Sequence, residues 1–159
     1  PGPVYIRFGR EKSPVFTTED SPFQIGKAEI LREGKDVAII GCSMILYNAL
    51  VAAEELAKEG IDCMVVNNHT VKTMDEKTII EAARITGAVV TVEEHQIMGG
   101  MGSAVAEVLA KNYSVPIEFI GVHDRFGESG DPWQLVDAFG MGIGAIKDAA
   151  RKVLERKQK

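Results

Sequence analysis

A three-layer α/β fold, with a five-stranded, mainly parallel sheet and one antiparallel edge strand, follows from three features of the sequence. From about Lys27 onward short apolar runs alternate with longer amphipathic stretches. Four of those runs are nearly continuously apolar, as strands covered on both faces are. The chain's 159 residues suffice for one core of this size and leave no room for a second full domain.

The first 25 residues differ from the rest. Val4-Tyr5-Ile6-Arg7-Phe8 alternates like a strand, but Pro3, Pro14 and Pro22 break any longer element, and the segment offers that strand no partner. A linker is expected from about Gly9 to Ile25, and the α/β domain over 26–159. Within it, Ala28 to Leu31 is a short strand candidate. Asp36 to Gly41, Ile61 to Val66, Ala88 to Glu93 and Pro116 to Gly121 are the four long ones.

Helices fall between the long strands. Ser43 to Lys58 carries Leu46, Leu50, Ala53 and Leu56 at helical spacing and stops at Gly60. Asp75 to Thr86 begins with a capping acid, turns Ile79, Ile80, Ala83 and Ile85 inward and ends at Gly87. Gly102 to Lys111 supplies Val105, Val108 and Leu109. Pro132 to Phe139 starts with proline in its first turn, and Ile143 to Lys157 closes the fold.

Composition excludes several function classes. Eighteen Lys and Arg against 23 Asp and Glu leave a net charge of −5, so no basic excess draws nucleic acid or an anionic membrane. The sequence shows no membrane span and no signal peptide, and a cytoplasmic location is expected. Cys42 and Cys63 form no CxxC and have no clustered histidines, so they read as buried thiols rather than metal ligands. Cys42, between a strand and a helix, is also where a reactive thiol would sit.

Three groups of residues are candidates for chemistry. Gly99, Gly100 and Gly102 lie between a strand and a helix, where amides can cradle an anion or glycines can simply let helix and sheet approach closely. His69, His95 and His123 follow three different strands and so share the sheet's carboxyl edge, with Glu93, Glu94 and Asp124 nearby for acid–base work. Arg7 and Arg10, with Lys12 close by, sit in the proline-flanked lead segment, and a guanidinium there suits a phosphate.

The stretch Gly2 to Arg10 resembles the last strand of the pyrimidine-binding domain of transketolases, and the remainder resembles their C-terminal domain. The resemblance is carried by Pro22 to Ala28, Asp36 to Gly41, Thr70 to Asp75, Val92 to His95 with Gly99 to Val105, and Phe126 to Gly130. Their order and spacing span essentially the whole chain. Asn67 and Thr73 depart from the family pattern, where aspartate and proline are frequent.

The resemblance implies the C-terminal portion or subunit of an enzyme that moves two-carbon ketol units between sugar phosphates. The complete enzyme would use thiamine diphosphate and Mg2+, with none expected on this chain alone, which supplies no catalytic residue. Arg10 matches the family arginine that contacts the substrate phosphate. Residues 1–25 would be the terminal strand of an absent pyrimidine-binding domain plus a linker. The implied partners are a second copy, in a homodimer, and the N-terminal, pyrimidine-domain portion. A naturally split enzyme and a truncated piece of a longer one give the same sequence, and a start within a strand favours the piece. The alternatives are a free-standing nucleotide or phosphometabolite-binding module, or the same domain of a deoxyxylulose-phosphate synthase or a 2-oxo-acid dehydrogenase beta subunit.

Overall fold

The computed structural model describes residues 2–7, 9 and 11–157. Five strands, β1 (Glu29–Arg32), β2 (Val37–Gly41), β3 (Cys63–Asn67), β4 (Val89–Gln96) and β5 (Ile117–Val122), form one sheet in the order β1-β3-β2-β4-β5. β2, β3, β4 and β5 run parallel, and β1 pairs antiparallel with β3, Ile30 facing Val66. The expected single antiparallel edge strand is thus present, and it is the short β1.

The helices α1 (Leu46–Lys58), α2 (Glu76–Thr86), α3 (Met101–Asn112), α4 (Pro132–Ala138) and α5 (Ile143–Lys157) cover both faces. Successive strand residues point to opposite sides of a sheet. Accordingly Val37, Ile39, Cys63, Val65, Val90 and Val92 pack with α1, α4 and α5. Ala38, Ile40, Met64, Val66 and Val89 pack with α2 and α3. Two apolar layers at native density make every inner strand buried on both sides, which is why those runs read as continuously hydrophobic.

Three details differ from the sequence expectation. α1 begins at Leu46 rather than Ser43, because Ser43 has φ +66°, outside the right-handed helical region, and Ser43 to Ile45 form a turn. Ile85 is 48% exposed, and the inward positions of α2 are Ile79, Ala82, Ala83 and Thr86, which follow the 3.6-residue period more closely. Val4 to Arg7 join no strand of the described sheet and are exposed, and Phe8 lies outside the described residues.

Capping sets the ends that matter to the edge described next. Asp75 accepts the Thr78 amide at the start of α2 and, through its other oxygen, the Ala28 amide at 3.2 Å. One carboxylate thus caps a helix and holds the approach to β1. Burial raises the energy of its charge, yet the bonds from Thr78 and Ala28 outweigh that and hold the carboxyl below its ordinary value. Gly87, with φ +62°, closes α2 in the left-handed conformation that glycine adopts without penalty.

Candidate functional site

Parallel strands present their carboxyl ends on one edge, and the crevice lies where sheet building changes direction. Here β3 is laid on one side of β2 and β4 on the other. A cavity of about 360 Å³ opens at that point, with Cys42, Ser43, Val71, Glu93, Glu94, His95 and the turn Gly99 to Met101 among its walls.

Glu93 governs the chemistry of this crevice. It continues the face of β4 that carries Val89 and Thr91, toward α3, and is only 3% exposed. Its Oε2 accepts the Met101 amide at 2.7 Å and its Oε1 the Gly102 amide at 2.8 Å. A buried carboxylate thereby satisfies two of the amides that a helix start leaves free, at the positive end of the helix dipole. The Gly99 amide donates to Ser103 Oγ at 2.9 Å and the Gly100 amide to the Ile97 carbonyl at 3.4 Å. All four amides from Gly99 to Gly102 are thus donated within the chain, and the turn as folded presents no free N–H to an external anion.

The glycines serve close approach instead. A Cβ at Gly100 would overlap Glu93 Oε2, and one at Gly102 would lie 3.0 Å from the Phe119 ring. Sequence reading placed Glu93 beside His95 as a candidate acid and missed its capping role. The signal lies in the alternation of β4: Glu93 shares the inward face of Val89 and Thr91, and a carboxylate buried there must find partners.

Cys42 does not have the reactive character its position allowed. Burial, with the charge of Glu93 adding to it, pushes the thiol up to about 11, so it stays protonated at neutral pH. Burial likewise pushes Cys63 to about 12.

The three histidines share the edge but have separate partners. His95 lies within β4, is exposed and donates from Nδ1 to the Gln96 carbonyl at 2.8 Å. His69 Nδ1 shares a hydrogen bond with Thr70 Oγ1 at 3.0 Å and its ring stacks on Phe23. His123 is exposed in the loop after β5. Among the described residues no hydrogen bond joins any of them to Glu93, Glu94 or Asp124, and no group of three or more His, Cys, Asp or Glu is arranged to hold a metal ion. A histidine–carboxylate relay is therefore not assembled.

The lead segment crosses this same edge. A larger cavity, about 680 Å³, lies between residues 13–23 and the edge residues Ser43, Met44, Asn67 and His69. Arg7 and Lys12 are exposed, and Arg10 lies outside the described residues. Val4, Tyr5, Ile6, Val15, Phe23 and Ile25 are each at least 65% exposed, a run of apolar surface that one isolated domain rarely leaves open. At the far end of the edge Phe126 is 96% exposed. Among the described residues no helix is long and apolar enough to cross a membrane.

Comparison with known proteins covers the same span. The family described as "Transketolase, C-terminal domain" matches residues 26–146. The chain is 47% identical over 156 residues to the 6-deoxy-6-sulfo-D-fructose transketolase subunit of Clostridium sp. (strain MSTE9), covering 98% of this chain and 48% of that protein. It is 38% identical to the 1-deoxy-D-xylulose-5-phosphate synthase of Desulfitobacterium hafniense (strain DSM 10664 / DCB-2), covering 98% of this chain and 25% of that protein. A solved structure described as "Split gene transketolase, inactive beta4 tetramer" superposes with a TM-score of 0.90 at 42% identity, covering 93% of this chain and 48% of that one. The chain spans about half the length of the transketolase subunits it matches.

Proposed function

The chain belongs to the transketolase C-terminal domain family, and from that premise we propose that it is the C-terminal portion or subunit of a transketolase, acting in two-carbon ketol transfer between sugar phosphates. The observation that carries this reading is the superposition on the split-gene subunit, whose described length is about twice that covered here. In this reading Val4 to Arg7 completes a sheet outside this chain, which accounts for the exposed apolar side chains of the lead segment.

The residues present do not fit thiamine diphosphate with its metal. Among the described residues no acidic or histidine group is arranged around a cation. The glycine-rich start of α3 has its amides bonded to Glu93, Ser103 and Ile97. The cofactor and Mg2+ are accordingly assigned to the portion outside this chain, and this domain to assembly, as a homodimer in contact with the pyrimidine-domain portion. Arg10 is assigned to the phosphate of the sugar substrate. Titration of the purified chain with thiamine diphosphate and Mg2+ in a calorimeter tests the assignment: a flat isotherm is expected, and saturable stoichiometric binding overturns it.

The 38% identity to the deoxyxylulose-phosphate synthase supports a second reading, the same domain in that enzyme. Donor preference separates the two: a transketolase takes its two carbons from a ketose, and a synthase takes them from a 2-oxo acid.

A further inference from the structure

The parallel register brings three side chains into one row at the carboxyl end of the sheet. Gly41 pairs with Asn67 on one side and with Val92 on the other. The ladder continues by one step, the Asn68 amide donating to the Gly41 carbonyl at 2.8 Å and the Cys42 amide to the Val92 carbonyl at 3.3 Å. Asn68, Cys42 and Glu93 therefore stand side by side at the ends of β3, β2 and β4. Asn68 and Cys42 lie two residues beyond Val66 and Ile40, on the face that α2 and α3 cover, and Glu93 on that face is bonded to the start of α3.

The members of the row use their hydrogen-bonding capacity differently. Asn68 is 1% exposed, and its Nδ2 has no partner among the described residues. A buried amide N–H without an acceptor costs the desolvation of that group, so the fold by itself gains nothing from asparagine here. Glu93 has the opposite imbalance. Each of its oxygens accepts one amide, whereas a carboxylate can accept about four bonds in all. Among the described residues no ion pair engages Glu93 or Glu94. Between Asn68 and Glu93, the protonated thiol of Cys42 is a weak donor.

The 360 Å³ cavity opens on this row, with Cys42 and Glu93 among its walls beside Ser43, Glu94 and His95. His95 gives its Nδ1–H to the Gln96 carbonyl, which leaves Nε2 of the neutral ring an acceptor. Among the described residues the walls carry two carboxylates and no lysine or arginine. A phosphate brings acceptors and charge of the same sign as those carboxylates. An alkylammonium brings donors and leaves the Asn68 amide unanswered. A hydroxyl both donates and accepts, and so meets both ends of the row.

We propose that this crevice is a binding site for a small neutral polyol, whose hydroxyls donate to Glu93 and Glu94 and accept from the Asn68 amide. The cavity has the size of a small-molecule pocket, and Val71, Met101 and Ala104 supply apolar wall for the carbon chain.

Titration of the 15N-labelled chain with xylitol, ethylammonium and inorganic phosphate, followed by amide chemical shifts, tests the site. Saturable shifts are expected for xylitol alone, at Cys42, Ser43, Glu94, His95 and Gly99 to Met101. Asn68→Leu replaces the unpartnered amide with an apolar group of similar volume. It should weaken xylitol binding by about 2- to 12-fold, the worth of one hydrogen bond, with a denaturation midpoint equal to or above that of the parent chain. An asparagine with a purely structural role would do the reverse, and a lowered midpoint with unchanged xylitol binding overturns the proposal. Val71→Trp, at a loop position 43% exposed, fills the cavity from its wall and should abolish the xylitol shifts with the remaining spectrum preserved. Xylitol shifts that survive in Val71→Trp, no saturable shift with xylitol, or saturation of these same amides by ethylammonium or phosphate would each overturn it.

Discussion

Glu93 Oε1 accepts the amide of Gly102 at 2.8 Å, so the end of a central strand is bonded directly to the first turn of the helix that follows it. The carboxylate stands where a phosphate would stand in a nucleotide-binding α/β domain, at a glycine-rich helix start. An anion supplied by the chain itself makes this turn a structural joint.

Glu93→Ala should destabilise the chain by about 1.5–3 kcal/mol, the loss expected when hydrogen bonds to a buried charged group are removed and their donors are left unpaired. Glu93→Gln, which retains one good acceptor, should cost less. Chemical denaturation with a shared m-value checks the order; equal and negligible losses for both would show that the joint contributes nothing to stability.

Acid should weaken the packing of α5 on the sheet. Glu118 is bonded to Lys152 at 2.8 Å and to Arg156 at 2.6 Å. Burial raises its carboxyl, but the two cationic bonds outweigh burial and hold it below the ordinary glutamate value. A carboxyl lowered in the folded state contributes stability above its unfolded value and loses it as pH falls through the folded one. Denaturation midpoints followed from neutral pH to about pH 3 should therefore fall, and Glu118→Gln should remove about 0.5–1 kcal/mol of that fall, both cations being partly exposed. An identical pH profile in the variant would show that the pair is not coupled to folding.

Arg10→Ala should lower kcat/KM of the complete enzyme for phosphorylated substrates by roughly 10- to 150-fold, because a charged hydrogen bond is worth about 1.5–3 kcal/mol and each ~1.4 kcal/mol is a factor of ten. Unphosphorylated sugars should be nearly unaffected. Equal losses on a matched pair would make Arg10 an ordinary surface charge beside Lys12.

Architecture was legible because strands buried on both faces must be largely apolar, as Val37 to Gly41 is throughout and Val89 to Val92 is but for Thr91. Boundaries were less so. Ser43 sits in the left-handed region, which helix periodicity does not register, and helical spacing turns Ile85 inward whereas Thr86 holds that position, its hydroxyl donating to the Ala82 carbonyl at 2.7 Å. The site was harder still. Glycine spacing shows that backbone approaches something closely, but only coordinates show that the something is Glu93. Phe23 meets His69 across 45 intervening positions, and no local pattern marks such a pair.

The central claim, that this domain works only with a thiamine-binding portion supplied from outside the chain, is tested most directly by reconstitution. The purified chain, the complementary N-terminal and pyrimidine-domain portion, and their mixture are assayed for ketol transfer with thiamine diphosphate and Mg2+ present, and each is sized by sedimentation. The account predicts turnover and a joint complex in the mixture, and none from this chain alone. Turnover by this chain alone, or a mixture that neither associates nor turns over, would contradict it.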